Sequence, residues 1–262
     1  MGQFGFHSFL TKLPRQSDRP LLFKHTGDAG DIIYGLAAIK ALGGGMLYVS
    51  PSRWETRVKP TIESTQNMRG LLQKQDYIWD ATFTDHPLAH ADYDMNNFRE
   101  YFLNGERLKD ESLFSMQLRA CRTYWPADKP WMTTDFRMTV PGRPIVIARS
   151  ERYHSPPFPW KELVAKHGNR MIFVGTEAEH ASFACEFGHV PRIETLTLLD
   201  VARVIDGGSM FIGNQSCPMA IALALGKNVI QEVWGVDGNC ILPRPNALYI
   251  RDGRVKIPKD WL

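Results

Sequence analysis

Two turns in this 262-residue sequence gather residue types that can do chemistry. In the first, Gly27-Asp28-Ala29-Gly30-Asp31, two carboxylates stand three residues apart between an apolar run and a helical stripe. A carboxylate so placed can take the proton of a hydroxyl as that hydroxyl attacks an electrophile. It can equally favour a helix start, where negative charge meets unpaired N–H groups. The second turn, Gly213-Asn-Gln-Ser-Cys-Pro-Met219, leads into the small residues of 220–226. Asn214 and Ser216 suit an N-cap, and Pro218 suits the first helical turn, where its missing donor costs nothing. Such a start can hold a phosphate, or it can be a plain capped turn in a core. Arg149 and Arg152 follow a predicted strand end. They can grip phosphate oxygens two at a time, or be solvated surface arginines. Glu177 or Glu179 can accept hydrogen bonds from a ribose, or simply sit as favourable charge in a helix's first turn.

The elements that must position these residues follow from periodicity. Residues 21–26 form a short apolar strand, and Ile32, Ile33, Leu36, Ala37 and Ile39 form a helical stripe. Gly43, Gly44 and Gly45 end that helix, and Met46–Ser50 is the next strand, completing a βαβ unit. A helix over 61–74, a strand over Tyr77–Phe83 and a helix over Leu113–Tyr124 follow. Trp125–Pro144, with Pro126, Pro130, Pro141 and Pro144, is the candidate linker. Beyond it, strands at 145–148, 171–174, 210–212 and 229–233 alternate with helices at 160–167, 177–187, 198–206 and 216–225. This alternation implies doubly wound parallel sheets. The expected architecture is α/β, with two Rossmann-like domains, 1–140 and 141–262, facing across a cleft at the carboxyl ends of their strands. The last residues, Trp261 among them, are expected to pack across that cleft onto the first domain.

Composition narrows the function classes. A hydrophobic content of 44% and a charged content of 23% describe a globular chain and exclude wholesale disorder. The net charge of +3 permits anionic ligands but is no polyanion signature. Cys121, Cys185, Cys217 and Cys240 form no CxxC pair, so reduced thiols in a cytoplasmic protein are expected, without zinc or disulfides. The first residues lack the pattern of a secretion signal, and no apolar run is long enough to span a bilayer.

The segment Phe211-Ile-Gly-Asn-Gln-Ser-Cys-Pro-Met-Ala, followed by Ala222-Leu-Ala-Leu-Gly-Lys-Asn-Val-Ile, resembles the donor-binding segment of the lipopolysaccharide heptosyltransferase family, glycosyltransferase family 9. Ile147-Ala-Arg-Ser-Glu-Arg with Pro159-Trp-Lys-Glu-Leu, Ile172-Phe-Val-Gly-Thr-Glu-Ala-Glu-His and Thr197-Leu-Leu-Asp-Val-Ala-Arg-Val-Ile are similar to its other second-domain segments. Thr26-Gly-Asp-Ala-Gly-Asp-Ile-Ile-Tyr-Gly-Leu-Ala-Ala-Ile39 is similar to its first glycine turn, and the family's proposed base aligns with Asp31. The resemblance implies a GT-B fold and an enzyme that moves a sugar from a nucleoside diphosphate sugar to a hydroxyl, inverting and metal-independent, with no cofactor. Arg149, Ser150, Arg152, Gly175, Glu177, Asn214, Gln215, Ser216, Cys217 and Met219 would bind the donor. Gly27, Asp28 and Gly30 would lie on the acceptor side. The family's Asp and His positions are here Gln215 and Ala220, so the donor sugar is left open, hexose or heptose.

The partners expected are a nucleotide sugar and a hydroxyl acceptor, taken to be a glycan. A DNA base acceptor, a related epimerase or hydrolase, and a non-catalytic nucleotide-sugar-binding protein stand as alternatives. Asp92-Tyr-Asp94 looks like the metal-binding DxD of the other glycosyltransferase fold, but a strand-end position is expected instead. His86 and His90 have metal-like spacing with no third ligand in sequence, so no metal site is expected.

Overall fold

A computed structural model describes residues 19–26, 28–50, 66–84, 88–108, 110–235, 238–251, 253 and 257–261. The first half contains β1 (Leu21–His25), α1 (Ala29–Ala41), β2 (Gly45–Val49), α2 (Arg69–Gln73), β3 (Ile78–Phe83) and β4 (Tyr93–Asp94). A 3₁₀ turn, Met95–Arg99, then leads to α3 (Glu100–Leu103) and α4 (Leu113–Ala120). The second half contains β5 (Ile145–Ala148), α5 (Trp160–His167), β6 (Met171–Phe173), α6 (Glu177–Phe187) and α7 (Leu198–Gly207). It ends with β7 (Met210–Asn214), α8 (Cys217–Ala224), β8 (Asn228–Glu232) and β9 (Ala247–Ile250). The strands form two sheets, ordered β3-β2-β1-β4 and β6-β5-β7-β8-β9, with every pairing parallel.

β5, β6 and β7 are buried along their whole length, as parallel strands covered on both faces must be. Ile145, Ile147, Phe173 and Ile212 face one way, onto Phe158, Trp160, Leu163 and Phe183. Val146, Ala148, Phe211 and Val229 face the other way and join a core that also contains Phe23, Leu47 and Ile78 of the first sheet. α1 and α8 lie at the centre of that core. α1 buries all eight residues from Ile32 to Ile39, and α8 buries Met219 through Ala224. Helices apolar on every side are central helices. Each large apolar side chain so buried is worth about 1.5–3 kcal/mol.

α1 stops where expected. Gly43 and Gly44 take φ of 91° and 90°, and a Cβ on Gly44 would collide with the Tyr77 carbonyl. α6 and α7 each begin with a capping box, Thr176 with Glu179 and Thr197 with Asp200. The proline-rich stretch 125–144 has no helix or strand, yet it carries one of the deepest side chains. Trp131 donates Nε1–H to the Ile33 carbonyl at 2.8 Å and its backbone N–H to Ala224 at 3.0 Å, tying α1 to α8.

The expectation for the C-terminus is corrected. Trp261 packs with Ile145, Phe158 and Ile230 on the outer face of the second sheet, and Ser209 Oγ donates to its carbonyl at 3.3 Å. Trp261 joins the apolar layer that Trp160, Leu163 and Phe183 already form on that face, whereas the central face is filled by α1 and α8.

Candidate functional site

One wall of the site is the turn from β1 into α1. Thr26 donates from its backbone and its hydroxyl to Asn96 Oδ1, at 3.0 and 2.9 Å, fixing the chain as it leaves the sheet. Asp28 holds the N-cap position of α1, but its carboxylate makes no cap bond; it lies 3.8 Å from Arg152 Nη1 on the opposite half. Asp28 thus stands at a helix start, where its charge is favourable, without a side-chain cap bond. Asp31 stands in the first turn of α1, where Arg99 Nη2 donates to its Oδ2 at 2.5 Å. Gln117 Nε2, from α4, donates to its carbonyl at 2.6 Å. Burial pushes the Asp31 carboxyl from 3.8 up to about 6, against the pull of the Arg99 guanidinium and with help from the nearby Asp28 charge. Beside it, His25 is pushed down to about 3, first by burial and then by Arg99, so the imidazole is neutral. Gly27 lies outside the described residues.

The facing wall is the turn from β7 into α8. Asn214 is fully buried, and its side chain does not cap the helix. Its Oδ1 accepts from Ser150 N at 3.0 Å, and its Nδ2 donates to the carbonyls of Ser150 and Arg152. The loop after β5 is thereby stapled to the end of β7. Ser216 is the N-cap residue, but its hydroxyl donates to the Asn214 carbonyl at 3.2 Å, so no side chain caps the first turn. The positive end of α8 therefore keeps N–H groups pointing forward. Gln215 Oε1 accepts from Trp234 N at 2.9 Å. Met219 has its side chain wholly in the core, which leaves only its backbone for a ligand.

The walls meet at Gly30, where a Cβ would stand 3.8 Å from Cys217 Cα. The Cys217 thiol is pushed up to about 12, by burial first and then by Asp28 and Asp31, and stays protonated. Of the two arginines, Arg152 is exposed at the rim while Arg149 is only 7% exposed. Arg149 gives Nε and Nη2 to Glu232, at 3.0 and 3.2 Å, and Nη1 to Glu186 at 3.2 Å. Glu232 also accepts from Ser155 N at 2.6 Å and Trp160 Nε1 at 2.8 Å. Reading the sequence missed this buried carboxylate. Its signal was an acid at the end of the apolar run Val229–Val233.

A shallow cavity beyond the ends of β5 and β6 is lined by Arg149, Ser150, Glu151, His154 and Glu179, among others. Gly175 takes φ of 147° there, and a Cβ on it would crowd Glu179 Oε2 at 2.9 Å. Glu179 is occupied in its capping box, whereas Glu177 is exposed in the first turn of α6. Asp94 caps the turn to Asn96 and pairs with Lys24, while Asp92 holds Arg19 and the Leu22 N–H, so both acids of the DxD-like run have structural partners. Among the described residues no group of three metal-ligating side chains occurs; His86 lies outside them and His90 is exposed. No described helix is long and apolar enough to cross a membrane.

No family model matches the chain, and no curated protein matches its sequence. Solved structures do match. The E. coli heptosyltransferase WaaC with ADP-2-deoxy-2-fluoro heptose superposes with a TM-score of 0.53 at 11% identity, over 87% of this chain and 92% of that one. The glycosyl transferase family 9 structure from Veillonella parvula gives 0.55 at 10% identity, over 89% and 86%. The iron-containing dodecameric glycosyltransferase TibC of E. coli gives 0.53 at 17% identity, over 82% of this chain and 58% of that one. With two parallel α/β sheets whose helix starts α1 and α8 meet at Gly30, this chain has the GT-B fold of those glycosyltransferase structures.

Proposed function

We propose that the protein is a glycosyltransferase that moves a sugar from a nucleoside diphosphate sugar to a hydroxyl of a glycan-type acceptor. The reading is of a cytoplasmic, metal-independent, inverting enzyme with an acceptor-side domain over 1–140 and a donor-side domain over 141–262. One observation carries it. A carboxyl poised near neutrality and an uncapped helix start, α8, lie on facing walls in contact at Gly30.

In this reading Asp31 is the base. It accepts the acceptor's O–H proton while that oxygen bonds to the anomeric carbon. The bond from that carbon to the diphosphate oxygen breaks, and its electron pair leaves with the diphosphate. The N–H groups at Ser216, Cys217 and Met219, together with Arg152, take up that charge in place of a metal. Arg149 acts indirectly, by holding the loop that carries Ser150 and Arg152. In the same reading Glu177, exposed in the first turn of α6, binds the ribose, and Gly175 lets the backbone bend there. WaaC has been seen with an ADP-linked heptose, which makes ADP-heptose the first donor to try. Gln215 and Ala220 leave a hexose equally open.

The test is Asp31→Asn. Transfer should fall by about 10²–10⁴-fold, the span that a positioned base supplies, while donor binding stays within about twofold of wild type. Undiminished transfer in that variant removes Asp31 from the mechanism. Donor binding without any turnover in the wild type, across glycan acceptors, would make the chain a binding protein instead.

A further inference from the structure

We infer that Tyr153 and Trp234 form a stacking face for a pyranose ring beside the turn from β7 into α8. This deepens the proposed function, on which it rests for the identity of the neighbouring diphosphate turn. The two rings lie 5.8 Å apart at 56° to one another, an open V, and they remain 41% and 49% exposed. Side by side, they offer a contiguous apolar face on which a ring can lie.

Their setting is built. Tyr153 takes φ of 60°, a left-handed conformation that a bulky side chain adopts only under constraint. The constraint is visible: Asn214 holds the carbonyls of Ser150 and Arg152 just before it, and Glu232 holds the Ser155 N–H just after it. Trp234 is pinned from the other side, its backbone N–H given to Gln215 Oε1. Both anchors, Asn214 and Gln215, are successive residues of the turn into α8. The rings therefore bracket the end of β7, next to the helix start proposed to take the diphosphate.

A sugar suits this position better than a base. The Arg152 guanidinium lies 5.3 Å from the Tyr153 ring and 3.8 Å from Asp28 Oδ2, which sets Tyr153 near the start of α1, the helix that carries Asp31. The C–H face of a pyranose presents slightly positive hydrogens to the negative face of an aromatic ring. Arg152 and Asp28 stand at its edge to hydrogen-bond hydroxyls. The ring is that of the donor or of the acceptor.

The experiment compares wild type, Trp234→Ala, Trp234→Phe and Tyr153→Leu, each confirmed folded by circular dichroism. One arm measures affinities for ADP and UDP against ADP-heptose and UDP-glucose. The other follows saturation transfer from the protein to methyl glucoside, methyl galactoside and methyl mannoside. A donor ring predicts that the sugar nucleotide binds more tightly than its nucleotide. That gain should fall about tenfold in Trp234→Ala, persist in Trp234→Phe, and leave nucleotide affinity unchanged. An acceptor ring predicts glycoside signals that vanish in Trp234→Ala and Tyr153→Leu. If nucleotides bind, but no sugar adds affinity and no glycoside contacts the protein, the inference is overturned and the diphosphate site stands. If glycosides bind through the pair and no nucleotide binds, the inference stands and the donor reading falls. Equal loss of nucleotide and sugar nucleotide in Trp234→Ala assigns the rings to the nucleotide and overturns the inference, as does a wild type that binds nothing.

Discussion

At the scale of single residues, Asp31 has two opposing influences, and burial outweighs Arg99. The proposed base should therefore give a transfer rate that rises with pH through about 6, since only the carboxylate accepts a proton. Arg99→Gln removes the group that favours the carboxylate, so the rising limb should move to higher pH. A limb that stays in place, measured in kcat/KM against pH, would show that the pair does not control the base. The same shift bears on stability. The folded protein binds a proton on Asp31 at a pH where the unfolded chain has released it. Folding is thus favoured by this group below about 4 and disfavoured as pH rises past about 6. Asp31→Asn, a permanent mimic of the protonated form, should stabilise the fold by about 1–3 kcal/mol at pH 7–8. The gain should vanish near pH 4. A variant less stable than wild type at pH 8, by urea denaturation, would show that the Arg99 ion pair outweighs the burial cost.

At the scale of elements, the loop after β5 depends on a charge in β8, two strands away. Glu232 is fully buried and takes four hydrogen bonds from Arg149, Ser155 and Trp160. Glu232→Ala leaves the Arg149 guanidinium buried over the Phe187 ring, with the exposed Glu186 as its remaining carboxylate among the described residues, and should cost about 3–5 kcal/mol. Urea unfolding reads that loss; a cost below about 1 kcal/mol would mean that water replaces the carboxylate and that the loop is not built on it. This network also marks the limit of what the sequence discloses. β5, α5 and α6 lie where periodicity places them, because their apolar spacing and their caps are local signals. The partnership of Arg149 with Glu232 depends on β7 lying between β5 and β8, which no local pattern encodes. Asn214 was legible as a polar residue at a turn; that it staples a distant loop rather than capping α8 was not. β4, Tyr93–Asp94, is where a strand end is expected, whereas β9 went unread because the half-buried run Ala247–Ile250 carries too little periodicity.

At the scale of the molecule, the proline-rich stretch reads as a tether between two halves, yet its Trp131 is a rivet. Besides its bonds to Ile33 and Ala224, its carbonyl accepts from Tyr77 Oη at 2.6 Å and its ring lies 4.9 Å from Phe114. One apolar cluster runs from Phe23 in the first sheet through α1 and α8 to Val229 in the second. Halves that share a core in this way cannot lose it one at a time, because unfolding either would expose the buried face of the other. The protein should therefore melt in one calorimetric transition, with equal calorimetric and van't Hoff enthalpies. Trp131→Ala removes the largest side chain at the junction and opens a cavity between α1 and α8, at a cost of about 3–5 kcal/mol. Two resolved transitions in the wild type would show that the halves fold independently and that their shared cluster adds little. A single transition in the wild type that splits in Trp131→Ala would instead locate the coupling at this side chain. The consequence reaches the proposed chemistry. Because the site's two walls are built on α1 and α8, whatever holds these helices together also fixes the position of Asp31 relative to the start of α8. Trp131→Ala should then depress transfer by more than its effect on the folded fraction accounts for, measured well below its melting temperature.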